Sequence, residues 1–389
     1  MSLRLLTAGE SHGPALTAIL DGMPAGLPLD NAIINFELAR RQKGFGSGGR
    51  MKIEVDTIRM LGGVMAGETT GAPLAMLVEN ADHIKWKGKA ADPMVTPRPG
   101  HADLAGAVKY GYRDLRPALE RASARETAMR VAAGAICKHF LFQFGIFVGG
   151  YVRSIGEIEA QVDQKNLKAC FDAAEMNDVR CPDPAAAARM RSRIEEIIQL
   201  GDTLGGIIEI FALNVPFGLG SFAQWDRRLE ARLAQAVMSV QAIKGVEIGS
   251  AFENTRKSGT EVHDEIRMEG KWLKRPTNRA GGIEGGISDG MPILIRAAMK
   301  AIATTLTPQK TVDLAAGEEA LTHYERSDYC PVPRAVPVLE AVVAFVLADA
   351  LIEKLGGDSM AEMKTRFNDL RQARLEDLPM DNHPIIWWE

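Results

Sequence analysis

Cysteine is scarce in this sequence, which has four cysteines among 389 residues. They are Cys137, Cys170, Cys181 and Cys330, and no two of them form a CxxC pair or a cysteine–histidine spacing typical of a metal site. We interpret them as reduced structural thiols, which favours a cytoplasmic location.

Two further features are not expected from the sequence, a secretory leader and a membrane-spanning run. No charged-then-apolar segment opens the sequence, so we expect no secretory signal. The apolar run 336–355 contains Glu340, Asp349 and Glu353, which would be costly inside a bilayer, so it predicts a buried helix. The formal net charge of −4 excludes general attraction of polyanions as the main use of the surface. We expect neither a membrane nor a nucleic acid as a partner.

No fixed-period repeat, low-complexity linker or charge block divides the chain, so we expect one domain over residues 1–389. Its 46% hydrophobic and 25% charged residues are typical of a soluble globular protein. Strands are predicted at 3–7, 15–20, 51–60, 73–79, 207–215, 260–268 and 292–300. Helices are predicted at 30–43, 118–145, from 226 towards 245, 335–355 and 359–376, with a peripheral helical elaboration at 157–200. These elements do not alternate regularly, which favours an α+β fold over a doubly wound sheet.

Arginine, in contrast, is abundant, with 29 arginines against 17 lysines. The guanidinium fork grips carboxylate and phosphate groups bidentately, so this excess indicates a small anionic ligand. Many of the arginines lie in 97–130, PRPGHADLAGAVKYGYRDLRPALERASARETAMR, among glycines, prolines and small polar residues. The density of such residues indicates an anion pocket, with a salt-bridged, solvated helix face as the alternative.

Arg121 and Arg125 stand four residues apart in the predicted helix 118–145, which would place both guanidinium groups on one face. Acidic residues in the same stretch can neutralise some of the arginines. They are Asp114, Glu120 and Glu126.

Two sequence patterns resemble motifs whose structural context is missing. Ser11 stands in GESHG, which matches the GxSxG pattern of a nucleophile elbow. In such an elbow a helix begins directly after the turn, whereas here Pro14 and a predicted strand follow. The GxGxxG match at 44–49 follows a helix and precedes a strand, the reverse of a dinucleotide fingerprint. We interpret it as a flexible loop that can close over an anion.

Two histidines stand out as candidates for proton transfer. His12 lies in a glycine-bounded turn at a strand end, and His101 follows Pro97, Pro99 and Gly100. Imidazole exchanges protons near neutral pH, which suits a general acid. Neither histidine has metal-ligand spacing, so no metal site is predicted. The remaining histidines are interpreted as structural: His83, His139, His263, His323 and His383.

Several long motifs, in order along the chain, closely resemble the chorismate synthase family. They are TAGESHGPALTAILDGMPAGLPL at 7–29, RRQKGFGSGGRMKIE at 40–54, PRPGHAD and LERASARET within 97–130, GDTLGG at 201–206, the segment 218–249, NRAGGIEGGISDGMPI at 278–293 and ERSD at 325–328. Only 150–200 and the C-terminal tail are unspecific.

The resemblance implies a single-domain β-α-β sandwich, with helices packed between antiparallel sheets, assembling as a homotetramer. It also implies an activity in the shikimate pathway of aromatic amino acid biosynthesis. The substrate would be 5-enolpyruvylshikimate 3-phosphate, which would lose phosphate and a ring hydrogen in a 1,4-elimination to give chorismate. Reduced FMN (FMNH2) would be required although the reaction has no net redox change, with NADPH as a possible reductant of the flavin.

The resemblance further implies roles for individual residues. His12 would face the substrate phosphate, His101 the flavin, and Asp328 would assist proton movement at the flavin. From the residues alone, Asp328 is equally an ordinary turn or cap. Substrate or NADP contacts would fall on Arg41, Ser47, Arg50, Arg98 and Arg125. Flavin contacts would fall on Arg121, Ala122, Ser123, Gln241, Ala242, Gly285, Lys300, Ala301, Ile302, Ala303, Thr304 and Arg326.

Three positions depart from the pattern of many bacterial members of this family. Ser47 stands where those members have arginine, and Ala301 and Ala303 stand where they have proline. The first change removes an anion contact, whereas the others loosen a strand without removing a donor. A serine hydrolase using Ser11, a flavin oxidoreductase with net redox turnover and a non-enzymatic flavin- or anion-binding module remain as alternatives.

Overall fold

The computed structural model describes residues 2–48, 55–325 and 327–388. Its strands are β1 (Arg4–Ala8), β2 (Ala15–Asp21), β3 (Arg59–Gly62), β4 (Val64–Met65), β5 (Glu68–Thr69), β6 (Leu74–Glu79), β7 (Phe147–Ile155), β8 (Ile158–Glu159), β9 (Gly206–Leu213), β10 (Ile243–Ile248), β11 (Arg267–Glu269), β12 (Trp272–Lys274), β13 (Ile283–Glu284), β14 (Ile287–Ser288), β15 (Ile293–Met299), β16 (Lys310–Asp313) and β17 (Glu318–Leu321).

Its α-helices are α1 (Asn31–Gln42), α2 (Asp103–Tyr110), α3 (Arg116–Ala122), α4 (Thr127–Phe142), α5 (Leu167–Glu175), α6 (Pro184–Leu200), α7 (Leu229–Met238), α8 (Ala251–Asn254), α9 (Gly259–Val262), α10 (Val332–Leu355) and α11 (Met360–Asn368). Short 3-10 helices occupy Ala81–Lys85, Ala124–Glu126, Trp225–Arg227 and Leu375–Asp377.

Two antiparallel sheets enclose a layer of helices. The first sheet has the order β1-β2-β6-β3, and the second has the order β10-β15-β9-β7-β8. Helix α4 packs against β2 and β6 of the first sheet, α10 packs against β7 and β9 of the second, and the two helices pack on each other. The sequence-based prediction of an α+β sandwich with helices between antiparallel sheets is therefore confirmed.

Helix α10 is apolar on nearly every side because it has neighbours on every side. It is long and apolar enough to cross a membrane, but 89% of its most apolar window is buried inside the protein. The prediction of a buried helix is confirmed. Its one fully buried charge, Glu340, binds Arg40 at 2.6 Å and Lys138 at 2.7 Å. This pairing makes a carboxylate tolerable in the core.

The two helices between β7 and β9 belong to different apolar clusters. Helix α5 packs on β7, and its Leu167 and Cys170 join Tyr151 and Phe211 of the sheet in a small separate apolar cluster. Met190 and Ile194 of α6 belong instead to the main core.

The predicted long helix 118–145 is wrong at its start. Helix α3 ends at Ala122, Ser123 is extended with φ −63° and ψ 140°, and a 3-10 turn precedes α4. The Ser123 hydroxyl accepts from the backbone N–H of Arg125 at 3.3 Å, a local bond that competes with helix continuation. As a result Arg121 is exposed while Arg125 is buried, and they do not share a helix face.

Two predicted strands are also wrong in part. Residues 51–54 of the predicted strand 51–60 lie outside the described residues, and within the described part, 55–60, pairing begins at Arg59. Val55 is 82% exposed, whereas Asp56 is buried. The predicted strand 260–268 is the short helix α9 followed by the short strand β11, because a Ser258–Glu261 capping box favours a helical turn there.

Candidate active site

A cavity of about 580 Å³ opens where α4 and α10 begin and where α1 ends. Helix N-termini carry partial positive charge and unpaired N–H groups, so this location favours anions. The cavity is lined by two histidines, five basic side chains and two carboxylates. These are His12, His101, Arg41, Arg98, Arg125, Lys300, Arg334, Glu325 and Asp328.

Arg41 and Arg125 are held on one side of the cavity by the same carboxylate. Asp56 accepts from Nη1 of Arg125 at 2.5 Å and from Nη1 of Arg41 at 3.2 Å. Burial and then the nearby charge of Arg334 lower the pKa of the Arg41 guanidinium, while Asp56 acts in the opposite direction. The two guanidinium groups therefore share about one unit of negative charge and are suited to bind a further anion.

His101 and Arg98 are fixed by a second buried carboxylate, Asp103, at the first turn of α2. Its Oδ1 lies 2.5 Å from Nδ1 of His101, and its Oδ2 accepts from Nε of Arg98 at 2.8 Å. Burial would raise the pKa of Asp103, but the hydrogen bonds from His101 and Arg98 outweigh it, so this pKa lies well below its usual range. The carboxylate stays ionised and orients both side chains.

His12 is held in the same way, by a carboxylate of its own. Glu120 of α3 lies 2.7 Å from Nδ1 of the ring, and its second oxygen accepts from the backbone N–H of His12 at 2.7 Å. The indole of Trp86 covers the imidazole, with ring centroids 5.0 Å apart. Both candidate proton donors thus have a carboxylate on Nδ1.

Asp328 connects the loop after α1 with the start of α10. Its Oδ1 accepts from the backbone N–H of Gly48 at 2.8 Å, and its Oδ2 binds Arg334. The loop before Gly48 is tied to the same segment, because the carbonyl of Gly46 accepts from the backbone N–H of Tyr329 at 2.8 Å. Up to residue 48, this loop is anchored by backbone hydrogen bonds.

Residues after β15 form a further part of the cavity wall. Lys300 donates from Nζ to the carbonyl of Gly100 at 2.7 Å, and the Thr304 hydroxyl accepts from Arg98 at 3.3 Å. The side-chain carbonyl of Gln241 is buried and has no hydrogen-bond partner among the described residues. Ala242 has φ 66°, a left-handed conformation that residues with a Cβ rarely adopt. Strain and an unsatisfied acceptor together are typical of a ligand site.

Most of the candidate residues come together at this cavity. Those lining it are His12, Arg41, Arg98, His101, Ala122, Ser123, Arg125, Gln241, Ala242, Lys300, Ile302, Ala303, Thr304 and Asp328. Arg121 points elsewhere and donates to the carbonyl of Thr7 at 2.9 Å. Gly285 lies at an exposed hairpin tip between β13 and β14, Ala301 is exposed, and Ser47 is half-buried beside Gly48. Arg50 and Arg326 lie outside the described residues.

The residues that hold the candidate side chains in place carry little signal in the sequence. The sequence predicts Glu120 as a counterion of the arginines and Asp56 as a strand residue, whereas Glu120 binds His12 and Asp56 binds Arg41 and Arg125. Asp103 is the easiest of these carboxylates to predict from the sequence, since it stands two residues after His101 in the same motif. Trp86 and Arg334 had no local signal that separates them from ordinary surface residues.

Comparisons with known proteins identify the family. A family model described as chorismate synthase matches residues 3–352. A chorismate synthase from Aquifex aeolicus (strain VF5) is 53% identical over 385 residues, covering 94% of this chain and 97% of the relative. One from Chlorobaculum tepidum is 51% identical over 389 residues, covering 95% and 98%. A solved structure titled "Crystal Structure of Chorismate Synthase" aligns with a TM-score of 0.78 at 47% identity, covering 95% of this chain and 97% of that one. The chain therefore belongs to the chorismate synthase family.

Proposed function

We propose that this chain converts 5-enolpyruvylshikimate 3-phosphate to chorismate by a 1,4-elimination of phosphate that requires reduced FMN. The observation that carries the proposal is the cavity itself. In this member of the family, the cavity contains two histidines among five basic side chains, and each histidine is paired with a carboxylate. A substrate with a phosphate and two carboxylates needs such a cationic surface, and a leaving phosphate needs a proton and charge stabilisation.

The residues present fit the flavin that the family requires. Lys300 and Thr304 offer an ammonium and a hydroxyl for a phosphate, and the unsatisfied carbonyl of Gln241 offers an acceptor for a ring N–H. Ala122, Ser123, Ala242, Ile302 and Ala303 would complete the contacts. When bound, reduced FMN supplies electron density to the departing phosphate and accepts it back as the ring hydrogen leaves.

The chain's own residues would bind the substrate and manage its protons. Arg41 and Arg125 would hold anionic groups of the substrate beside Asp56, and Arg98 would bind anionic groups in the same cavity. His12 would give its proton to the leaving phosphate, and His101 would protonate or orient the flavin. Asp328, steadied by Gly48 and Arg334, would receive a proton at the flavin. We include Arg50 and Arg326 as further binding residues and Ser47 as a weak one. Arg121, Gly285 and Ala301 do not line the cavity and are included only because the family resemblance implies them.

Further parts of the proposal concern assembly and environment. We propose one domain, a homotetramer in the cytoplasm, and NADPH as a possible reductant of the flavin. The outer face of the first sheet exposes Leu6 (64%), Ile19 (46%) and Leu61 (52%), which supports a subunit interface there. No observation favours a serine hydrolase, because Ser11 is only 2% exposed and leads into β2 rather than a helix.

An anaerobic turnover experiment tests the function. The protein is mixed with photoreduced FMN and 5-enolpyruvylshikimate 3-phosphate, and chorismate and phosphate are measured together. We expect equal amounts of both products and no net oxidation of the flavin. Net oxidation of substrate would indicate an oxidoreductase, labelling of Ser11 by a fluorophosphonate would indicate a hydrolase, and binding without product would indicate a binding module. The variants His12→Ala and His101→Ala should each lose about a hundredfold or more in turnover while remaining folded.

A further inference from the structure

Arg180 lies between α5 and α6 and donates to three backbone carbonyls at once. Its Nη1 donates to the carbonyls of Lys43 at 2.9 Å and Pro333 at 2.6 Å, and its Nη2 donates to the carbonyl of Arg40 at 2.5 Å. Its Nε donates to the carboxylate of Glu175 at 2.9 Å, and only 4% of the residue is exposed. One buried guanidinium therefore joins the end of α1 to the first turn of α10.

The carbonyls of Pro333 and Arg40 favour a cationic donor from outside their helices. In α10, the carbonyl of Pro333 would accept from the residue four positions later, which is Pro337 and has no N–H. Arg40 lies in the last turn of α1, where a cation near the helix carbonyls is favourable. Arg180 thus supplies the donor that Pro337 lacks and a positive charge at the end of α1.

The backbone of Arg180 is itself held from the second sheet. Its carbonyl accepts from the backbone N–H of Val152 in β7 at 2.8 Å, and its own N–H donates to the carbonyl of Asn177 at 3.3 Å. Its φ of 52° is left-handed, a conformation that residues with a Cβ rarely adopt and that persists only where the surroundings enforce it. The guanidinium is therefore presented to α1 and α10 from a fixed position.

The same part of the chain holds the beginning of the glycine-rich loop. The backbone N–H of Phe45 donates to the carbonyl of Asp178 at 2.8 Å, and the guanidinium of Arg191 lies 3.8 Å from the centroid of the Phe45 ring. A Cβ on Gly44 would lie 2.7 Å from Cγ of Arg334, so this close approach requires glycine. Residues 178–191 thus hold the loop after α1 against the start of α10.

The two helix ends that Arg180 joins carry cavity residues. Arg41 follows Arg40, Arg334 follows Pro333, and both Arg41 and Arg334 line the cavity. The ends also contact each other directly, because Nε of Arg334 donates to the carbonyl of Arg41 at 3.2 Å. Arg180 is not among the described residues that line the cavity, so it can act on a ligand only through these neighbours.

We propose that Arg180 is a positioning residue for the substrate site, which fixes the end of α1 against the start of α10 and thereby places Arg41 and Arg334 relative to each other. This inference rests on the proposed function, in which Arg41 binds anionic groups of the substrate. An anion with several charged groups is bound tightly only when its cationic partners are correctly spaced. The proposal gives the segment 157–200 a role that its sequence does not indicate.

A purely stabilising role for Arg180 is the competing explanation. Arg180→Lys separates the two, because lysine keeps the positive charge but lacks the planar fork that binds several acceptors at once. The matched control is Arg232→Lys. Arg232 binds Asp349 at 2.6 Å and Glu353 at 3.1 Å, and its side chain is 16% exposed. Asp349 lies about 24 Å along the axis of α10 from Pro333, at about 1.5 Å per residue, so the control weakens the same helix far from the cavity.

The measurement compares the affinities for two ligands. Oxidised FMN is titrated alone, and 5-enolpyruvylshikimate 3-phosphate is titrated with oxidised FMN present, so that no turnover occurs. We expect Arg180→Lys to raise the Kd for substrate about tenfold, since a misplacement of about 1 Å can cost up to about a hundredfold. The Kd for FMN should change less than about twofold, because Lys300, Thr304 and Gln241 lie on other elements. Arg232→Lys should lower the melting temperature but leave both affinities within about twofold.

A second variant separates stability from positioning. Pro337→Ala gives the carbonyl of Pro333 a donor within α10, so Arg180→Lys combined with Pro337→Ala should melt at a higher temperature than Arg180→Lys alone. Its substrate affinity should stay low, because the link from α10 to α1 is still missing. If Arg180→Lys alone does not fold, this double variant is titrated in its place.

Each outcome bears on the proposal. Wild-type substrate affinity in folded Arg180→Lys, or recovery of affinity together with stability in the double variant, would overturn it. Failure of both variants to fold would also overturn it and leave Arg180 as a residue needed only for folding. Absence of chorismate from the wild type would instead refute the proposed function. In that case a smaller rise of the melting temperature with inorganic phosphate in Arg180→Lys than in the wild type would still support the placement of the arginines by Arg180.

Discussion

Nη1 of Arg125 donates to Oδ1 of Asp56 at 2.5 Å, and the other oxygen of the same carboxylate accepts from Arg41. Asp56 is buried, with 4% exposure, so its negative charge is not screened by water. Two cations that would repel each other are thereby held on one side of the cavity. Asp56 is the counterion on which this arginine pair depends.

Replacing Asp56 by alanine should be strongly destabilising, because it leaves two buried guanidinium groups without their shared carboxylate. We expect a loss of about 3–5 kcal/mol in the free energy of unfolding, measured in urea. Inorganic phosphate should restore more stability to Asp56→Ala than to the wild type, since an anion that binds the folded state stabilises it. Asp178→Ala is the control, because Asp178 pairs with Arg191 on the exposed surface. It should cost about 1 kcal/mol or less, and an equal loss in both variants would contradict this role of Asp56.

The parts of the molecule that sequence could predict depend on short-range pattern. Asp30 caps α1 by accepting from Ala32 at 2.9 Å, and the apolar run 336–355 lies in α10, because capping and hydrophobic content act within a few residues. The segment around His101 is predicted from the sequence as part of the candidate site, because the motif itself contains the unusual residues, and it lines the cavity.

The parts that sequence could not predict depend on partners far away in the chain. Asp56 alternates with apolar neighbours as a strand residue would, yet its buried position is fixed by Arg125, 69 residues away. Glu120 resembles a surface acid on an arginine-rich helix, and its partner His12 is 108 residues away. A pattern within one segment carries no information about such contacts.

Arg125 and Arg121 provide a matched pair for the anion pocket. Arg125 lines the cavity and is 6% exposed, whereas Arg121 is exposed and donates to backbone carbonyls outside it. Arg125→Ala should weaken substrate binding by loss of a charge-assisted hydrogen bond of about 1.5–3 kcal/mol, which is about 10- to 150-fold in affinity. Arg121→Ala should have a clearly smaller effect in the same titration. Equal effects would mean that Arg121 reaches the ligand, as the family resemblance implies.

The pH dependence of stability should report Asp103. The pKa of this carboxyl is depressed in the folded protein by His101 and Arg98, below its ordinary value of 3.8. Its contribution to stability is therefore complete above about pH 4 and is lost as the pH falls towards the lower, folded value. We expect the free energy of unfolding to fall less steeply below pH 4 in Asp103→Asn than in the wild type. Asp226→Asn, at an exposed position, is the control, and parallel curves for wild type and Asp103→Asn would contradict the assignment.

Ser47 tests whether the glycine-rich loop contacts an anion. Four of the six residues at 44–49 are glycine, yet the loop is anchored through Gly46 and Gly48 to the segment before α10. Gly48 lines the cavity, so a long side chain at the preceding position can reach it, whereas the serine hydroxyl is short.

Ser47→Arg should therefore tighten the binding of substrate or NADPH severalfold at low salt, because a guanidinium can grip a phosphate bidentately. The gain should shrink as salt is raised from about 0.01 M to 0.15 M, where the screening length falls from about 30 Å to 8 Å. Ser47→Gln adds a polar side chain without charge and should give no salt-dependent gain. If Ser47→Arg changes neither the substrate affinity nor the NADPH affinity at low salt, the loop lies away from the bound anions. The loop then gives no support for assigning the neighbouring Arg41 to substrate binding.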